Sequence, residues 1–492
     1  MIMTARRARQ RGVCSGIACA AFTVCAIANL WQPAAGETLN EALAKAYSTN
    51  PDLAAARSRL RQVDEHLSVA NANWRPSLEI TTDAERLSET VKDASGTSND
   101  SYNTWSAEIQ AVQPLFSSGR FGAIRGVARA QIRAERALLR QVEQHVLLDT
   151  VKAFADVANS EASFDLIRED VTVLQDVLKQ TSERAQHHRA TETDVDQATA
   201  ALELSRADCL SRQAKLLESW RTYQQLVGEP PAFVTPNSAS GVNACIDAKG
   251  ERRRSTIALP DTFPAVPRSV EEVEQAAVDC APEIEFARAK EEEAHHAADA
   301  AYDDLMPSAR LTARLSTDDG ATNGPNTRTQ DASINAEIRV PVFNGGVEWS
   351  AIRSSRERSG EARLLVDGSE RQITRNAATA WFELQSVQAV KLINKMQART
   401  QQDAFEGLKK EIANPKLNRS TSDLLLQQHA VLSSRLTLAQ SDRDEAVAIY
   451  TLLAATGRLT PADLKLGVDV YDVDANLKAQ SGRWVGGSIF GE

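Results

Sequence analysis

The chain has 492 residues, enough for several domains or one elongated architecture, and only 5% of them are aromatic. Few aromatics beside abundant Ala, Gln, Glu, Arg and Leu favour long helices over compact sheets. The net charge of −10 is spread along the chain without a basic stripe, which excludes nucleic acid as a natural partner.

Residues 1–36 read as a secretory signal peptide. Arg6, Arg7, Arg9 and Arg11 precede an apolar run from Val13 to Leu30, and Ala34 and Gly36 supply small residues at the −3 and −1 positions. Cleavage before Glu37 removes these four Arg and takes the net charge from −10 to −14. An uncleaved membrane anchor is the alternative, because the run is about 18 residues long. Lipidation at Cys19 or Cys25 lacks the Leu and small residues that should precede the modified thiol. Cys209, Cys245 and Cys280 remain in the mature chain, in an oxidising compartment. The sequence leaves open whether Cys245 pairs with Cys280 or all three stay free.

From Glu37 the chain is written twice, as repeats over 37–228 and 269–460. At an offset of 231, "TLNEALAKAYSTNPDLAAARSRL" aligns with "SVEEVEQAAVDCAPEIEFARAKE", putting Pro51 on Pro282 and Arg57 on Arg288. Thr38 with Glu41, and Ser269 with Glu272, each have the spacing of a capping box, so each repeat opens with a capped helix. Pro76-Ser77 and Pro307-Ser308 stop these helices, and alternation then takes over. Leu78, Ile80, Thr82 and Ala84 share one face of a strand, with Glu79, Thr81, Asp83 and Glu85 on the other. Partners across the polar segments "SETVKDASGTSNDS" and "STDDGATNGPNTRTQD" alternate likewise. The predicted strands cover about 77–87 and 102–115, then about 308–316 and 331–343, one hairpin per repeat.

The phrases "AVQPLFSSGRFG" and "IRVPVFNGGVEW" then lead into segments without proline, about 120–187 and 347–414. As helices these would reach roughly 100 Å. Within the first, Ala153, Val157, Ser160, Phe164, Ile167, Val171, Leu174 and Leu178 recur every 3.5 residues on average, the period of left-handed supercoiling. Polar turns, "QHHRATETDV" and "NPKLNRSTSDL", fold each segment back into a second helix. The helical hairpins span about 119–228 and 346–457. Residues 229–268, rich in Pro, Ser and Ala, form an irregular connector, and 461–492 a loosely patterned tail.

After the leader no apolar run can span a bilayer, so membrane crossing would require a closed barrel. Four strands cannot close one, and a barrel would have to be shared between copies. The ordered set of the repeat opening, both Pro-aromatic-Gly phrases and the "TDV" and "SDL" turns resembles the TolC-type outer-membrane channel family along essentially the whole mature chain. The resemblance implies a mainly α fold with a membrane β-barrel: a homotrimer in outer-membrane lipid, its twelve-stranded barrel continued by a helical periplasmic tunnel. It places the connector, and the tail where ordered, in an equatorial girdle. It makes Pro114, Gly119, Pro341 and Gly346 the strand-to-helix junctions, with the prolines ending ladder pairing and the glycines turning the backbone.

By the same resemblance, the helical turns form a gate met by a periplasmic adaptor and an inner-membrane transporter. Asp194 falls on a gate-linking aspartate, Arg419 on a gate arginine and Asp423 on a constriction aspartate that selects cations. Thr191-x-x-Asp194 and Ser420-x-x-Asp423 equally fit capping boxes. The chain departs from the family at His188 and Leu417, where tip glycines are usual, at Asn414-Pro415 in place of a gate tyrosine, and at Leu426 in place of a second constriction aspartate.

His187-His188 and His295-His296 lack HExxH or CxxC spacing and read as solvated helix faces, so no metal or cofactor is expected. No enzymatic fingerprint occurs in a strand-to-helix context. The rival reading is a soluble periplasmic coiled-coil adaptor or scaffold, which leaves the two half-apolar hairpins without a purpose.

Overall fold

The computed structural model describes residues 37–94, 96–233, 245, 254–260, 262–319, 328–413, 420–480 and 484. The expected signal peptide, with Ala34 and Gly36, lies outside the described residues, as do much of the connector and most of the tail beyond 480.

Each repeat starts with two helices joined by a kink: α1 (Leu39–Thr49) and α2 (Pro51–Ala72), then α5 (Val270–Cys280) and α6 (Pro282–Asp303). Thr38 and Glu41 close the capping box on α1. In the second repeat Ser269 caps the Glu272 N–H, but the Glu272 carboxylate accepts from the Arg268 N–H instead, so the box stays half formed. At the kinks, Asn50 and Ala281 share φ −65° and ψ 126° with proline following, the extended geometry that proline imposes on its predecessor.

Strands β1 (Ser77–Asp93), β2 (Gly96–Phe116), β3 (Ser308–Asp319) and β4 (Arg328–Arg339) form one antiparallel sheet in the order β1-β2-β3-β4. The first hairpin is longer than the alternation predicts. Its outer half pairs residue for residue to Asp93↔Gly96 although the sequence there is mostly polar and carries no clear alternation. The inner half carries the pattern across all four strands: Ile80 pairs with Ile109, Ile109 with Leu315, and Leu315 with Ala332. Leu78, Ile334 and Ile338 on this face are 70%, 79% and 75% exposed. The other face is polar, with ion pairs Arg314–Glu108 (2.9 Å) and Arg310–Glu337 (2.6 Å). Such a sheet has a face suited to lipid and a face suited to water.

Helices α3 (Arg120–Gln186) and α4 (Glu192–Val227), then α7 (Val347–Ala413) and α8 (Thr421–Ala455), form the two long hairpins. The 3.5-residue seam is realised on α3, where Val157, Phe164, Ile167, Val171 and Leu174 are buried against α4 and α8 with Leu202, Leu216 and Leu432. Removing one such aromatic, Phe164→Ala, costs about 3–5 kcal/mol by the usual large-to-small scale. Among the described residues no helix is long and apolar enough to cross a membrane. Each hairpin ends on a left-handed glycine, Gly228 or Gly457. At Gly457 a Cβ would also sit 2.4 Å from the Cys280 carbonyl oxygen, so that position demands glycine twice over.

The described parts of the connector and of the chain after α8 pack against the helices. In the connector, Phe233 bridges to Ser255 and stacks edge-on against Trp220, while the Ser255 N–H donates to Glu161. The chain after α8 returns along α2 and α3: Arg57 lies between the rings of Tyr47 and Tyr471, Arg136 pairs with Asp474, and the Asn476 amide donates to Asp64. A short helix, α9 (Ala475–Gln480), closes this part.

The cysteines pair differently from the option the sequence offered. Cys245 is bonded to Cys209 on α4, and Cys280 at the end of α5 is an exposed free thiol. Cys245 sits against α4, where its sulfur also meets Gln213 at 4.0 Å, so Cys209 is the thiol within reach.

The bridge joins cysteines 36 residues apart, and closing a loop of that size is worth about 3–4 kcal/mol by the chain-entropy account. Cys245→Ser should therefore loosen the connector, with trypsin cutting after Arg254 at least tenfold faster while the helices stay protected. Equal cleavage rates would show that packing alone holds it.

Candidate functional site at the helical turns

At the first turn α3 ends in a Schellman motif. The Arg189 N–H donates to the Arg184 carbonyl (2.8 Å) and the His188 N–H to the Ala185 carbonyl (2.9 Å). His188, where the family usually has glycine, takes the left-handed conformation with φ 57°. The turn keeps its shape at a conformational cost of about 1–2 kcal/mol. Helix α4 then starts from a complete capping box: Asp194 Oδ2 accepts from the Thr191 N–H (2.9 Å) and hydroxyl (2.7 Å), and the Asp194 N–H donates back to Thr191 Oγ1 (3.2 Å). These bonds hold the Asp194 carboxyl below the usual range, with a smaller contribution from Arg184.

The second turn differs. Ser420 caps α8 through the Ser422 N–H, and the Asp423 carboxylate does not reach back. Asp423 is exposed in the first helical turn without a hydrogen-bond or ion-pair partner among the described residues. The capping-box reading thus describes Asp194 and not Asp423. Leu426, one turn on, is 69% exposed on the same side, while Leu424 is buried with Val177, Phe405 and Val431. Arg419 lies outside the described residues, as do Asn414, Pro415 and Leu417.

Away from the turns, α3 and α8 are joined by a ladder that the sequence reading missed. Asp156 pairs with Arg443 (2.8 Å), Asn159 with Gln440 (2.8 Å), and Glu169 with Arg435 (2.9 Å). At its lower end Asp170, buried on α3, accepts from Ser205 Oγ on α4 (2.7 Å) and from Gln428 Nε2 on α8 (2.7 Å). One carboxylate thus ties the first hairpin to the second. It borders a groove of about 290 Å³ that also meets Asp208 and His429. Burial pushes the Asp170 carboxyl up, and Asp208 adds to this, against the two hydrogen bonds and His429.

At the opposite end, β2 continues through Pro114, which pairs with Arg310 beside a bulge, and pairing ends only at Phe116↔Ala309. Pro114 therefore does not end the ladder; the bulge accommodates its missing N–H. Pro341 lies beyond the end of β4. Gly119 has φ 110°, and a Cβ there would be 3.0 Å from Asp303 Oδ2. Gly346 has φ 84° in open surroundings.

The family model for the outer membrane efflux protein matches residues 42–229 and 274–458, the two repeats. The chain belongs to the outer membrane efflux protein family. It is 28% identical over 474 residues to the outer membrane efflux protein BepC of Brucella suis, across 96% of this chain and 97% of that one. It is 23% identical over 368 residues to the alkaline protease secretion protein AprF of Pseudomonas aeruginosa, across 74% and 72% of the two chains. Its fold matches the crystal structure of the Campylobacter jejuni CmeC outer membrane channel with a TM-score of 0.70 at 14% identity, over 90% of this chain and 89% of that one. Family membership places the protein in the outer membrane with its helices in the periplasm. It also sets aside the soluble adaptor reading, and the family is one of channels rather than enzymes.

The Asp170 junction has a defined pH signature. Its carboxyl binds a proton more tightly folded than unfolded, where the ordinary value is 3.8. Its stability contribution is therefore full below that value and is lost as the pH rises through the raised one. Asp170→Asn should abolish this dependence in thermal unfolding while keeping both partners satisfied. Asp170→Ala should lower stability by about 1–3 kcal/mol by orphaning the Gln428 amide.

Proposed function

We propose that three copies of this chain assemble into a passive exit duct, opened at its periplasmic end when an adaptor and an inner-membrane transporter engage the helical turns. The observation that carries this reading is the four-stranded sheet, whose outer strands β1 and β4 each leave one edge without a neighbour among the described residues. An open edge cannot persist in hydrocarbon, and three such sheets joined edge to edge give a closed barrel of twelve strands. Exposed Leu364, Leu365, Leu392, Ile393 and Met396 on α7 give neighbouring copies a second apolar surface to share. BepC is named for efflux and AprF for protease secretion, and an exit duct would serve either kind of export.

In this reading Asp423 is the selectivity residue. Three exposed carboxylates brought to one axis would focus a negative potential on the entrance. Arg419 is assigned to holding the second turn closed, and Asp194 links the first turn to it while capping α4. The gate opens by separating α7 and α8 from the α3 ladder, and the energy comes from the transporter.

Planar-bilayer recordings test both levels. The purified protein should give discrete conductance steps, Asp423→Ala should reduce cation preference severalfold, and Arg419→Ser should raise single-channel conductance. Absence of steps would contradict the duct. Steps unchanged in both variants would remove Asp423 and Arg419 from the gate.

A further inference from the structure

On α6 the structure brings Asp299 to the two histidines, His295 and His296, that read in the sequence as a solvated face. His295 Nδ1 lies 3.3 Å and His296 Nδ1 3.6 Å from the same oxygen, Asp299 Oδ2. The two histidines stand four and three residues before the aspartate, so all three occupy adjoining turns of one helix. Their ligand atoms are mutually within 4.8 Å. For an ion about 2.1 Å from each ligand, tetrahedral geometry requires ligand-to-ligand edges of about 3.4 Å. The two measured edges bracket that figure.

The surroundings fix one of these rings. Gly126 on α3 faces His296 so closely that a Cβ would lie 2.5 Å from the imidazole Cγ, which seats the ring in the α3–α6 contact. Its other nitrogen, Nε2, has Glu292 Oε1 as a charged neighbour at 3.7 Å, beyond hydrogen-bond distance. Glu292 is itself held by Arg133 of α3. His295 and Asp299 are exposed, so an ion can reach them from water.

We propose that His295, His296 and Asp299 form a binding site for a divalent late transition ion, with Zn²⁺ the best fit to two imidazoles, one carboxylate and a water. Asp299 lies one helical turn, about 6 Å, before Asp303, which contacts Gly119. A bound ion bridges adjoining turns of α6, close to its C-terminal end.

The test is calorimetric titration of zinc sulfate into the full-length, detergent-solubilised protein with Cys280 alkylated. The expected result is one ion per chain, weakened at least tenfold by His295→Gln and by Asp299→Asn, and unaffected by a His187→Ala/His188→Ala variant. His295 and Asp299 are exposed, and helical content and oligomer mass confirm that their variants fold. Equal affinity in the parent and the His295→Gln variant, no binding by the parent, or loss of binding with His187 and His188 would each overturn the proposal. Any of these leaves the channel reading intact, because the site is remote from the entrance turns.

Discussion

Everything in this molecule follows from the requirement that a backbone crossing hydrocarbon satisfy its own hydrogen bonds. The chain offers the bilayer a four-stranded antiparallel sheet with an apolar face in register from β1 to β4, and a single copy leaves the two outer edges unpaired. The proposed sharing of a barrel between copies would resolve that shortage, and the internal duplication is what supplies each sheet with its two hairpins. Each repeat supplies one hairpin to the sheet and one long helical hairpin to the periplasmic part.

The helical part obeys a different logic. Its buried stripe on α3 follows the 3.5-residue period of helices that stay in contact over many turns, and the apolar seam shares its length with polar links. Apolar packing gives cohesion without much geometric choice. The ladder from Asp156–Arg443 to the Asp170 junction fixes how α3 sits against α8. A gate needs such contacts, since hydrogen bonds of modest net strength can be exchanged for water when partners pull the helices apart.

Much of this was legible in the sequence because it rests on periodicity. Alternation at Leu78, Ile80 and their partners gave the strands, and spacing from Ala153 to Leu178 gave the seam. The outer half of the first hairpin was illegible because residues 88–101 are mostly polar, with Val91 and Ala94 too few to mark an alternating face. The Cys209–Cys245 bond escaped because an irregular connector has no period from which to predict its path. Asp170 adjoins the seam residue Val171, and an acidic residue beside a coiled-coil stripe looks like any solvated flank until a third helix covers it. His188 shows the converse: a residue other than glycine takes the left-handed turn, because the backbone bonds of the motif set the conformation.

The central claim is that this chain builds a membrane barrel only together with copies of itself. The most direct measurement is to express the full sequence in a Gram-negative host, separate inner from outer membrane, and determine the detergent-solubilised mass and N-terminus of the product. The account predicts a trimer in the outer-membrane fraction beginning at Glu37. A monomer, a soluble periplasmic species, or a chain retained in the inner membrane by its first residues would contradict it.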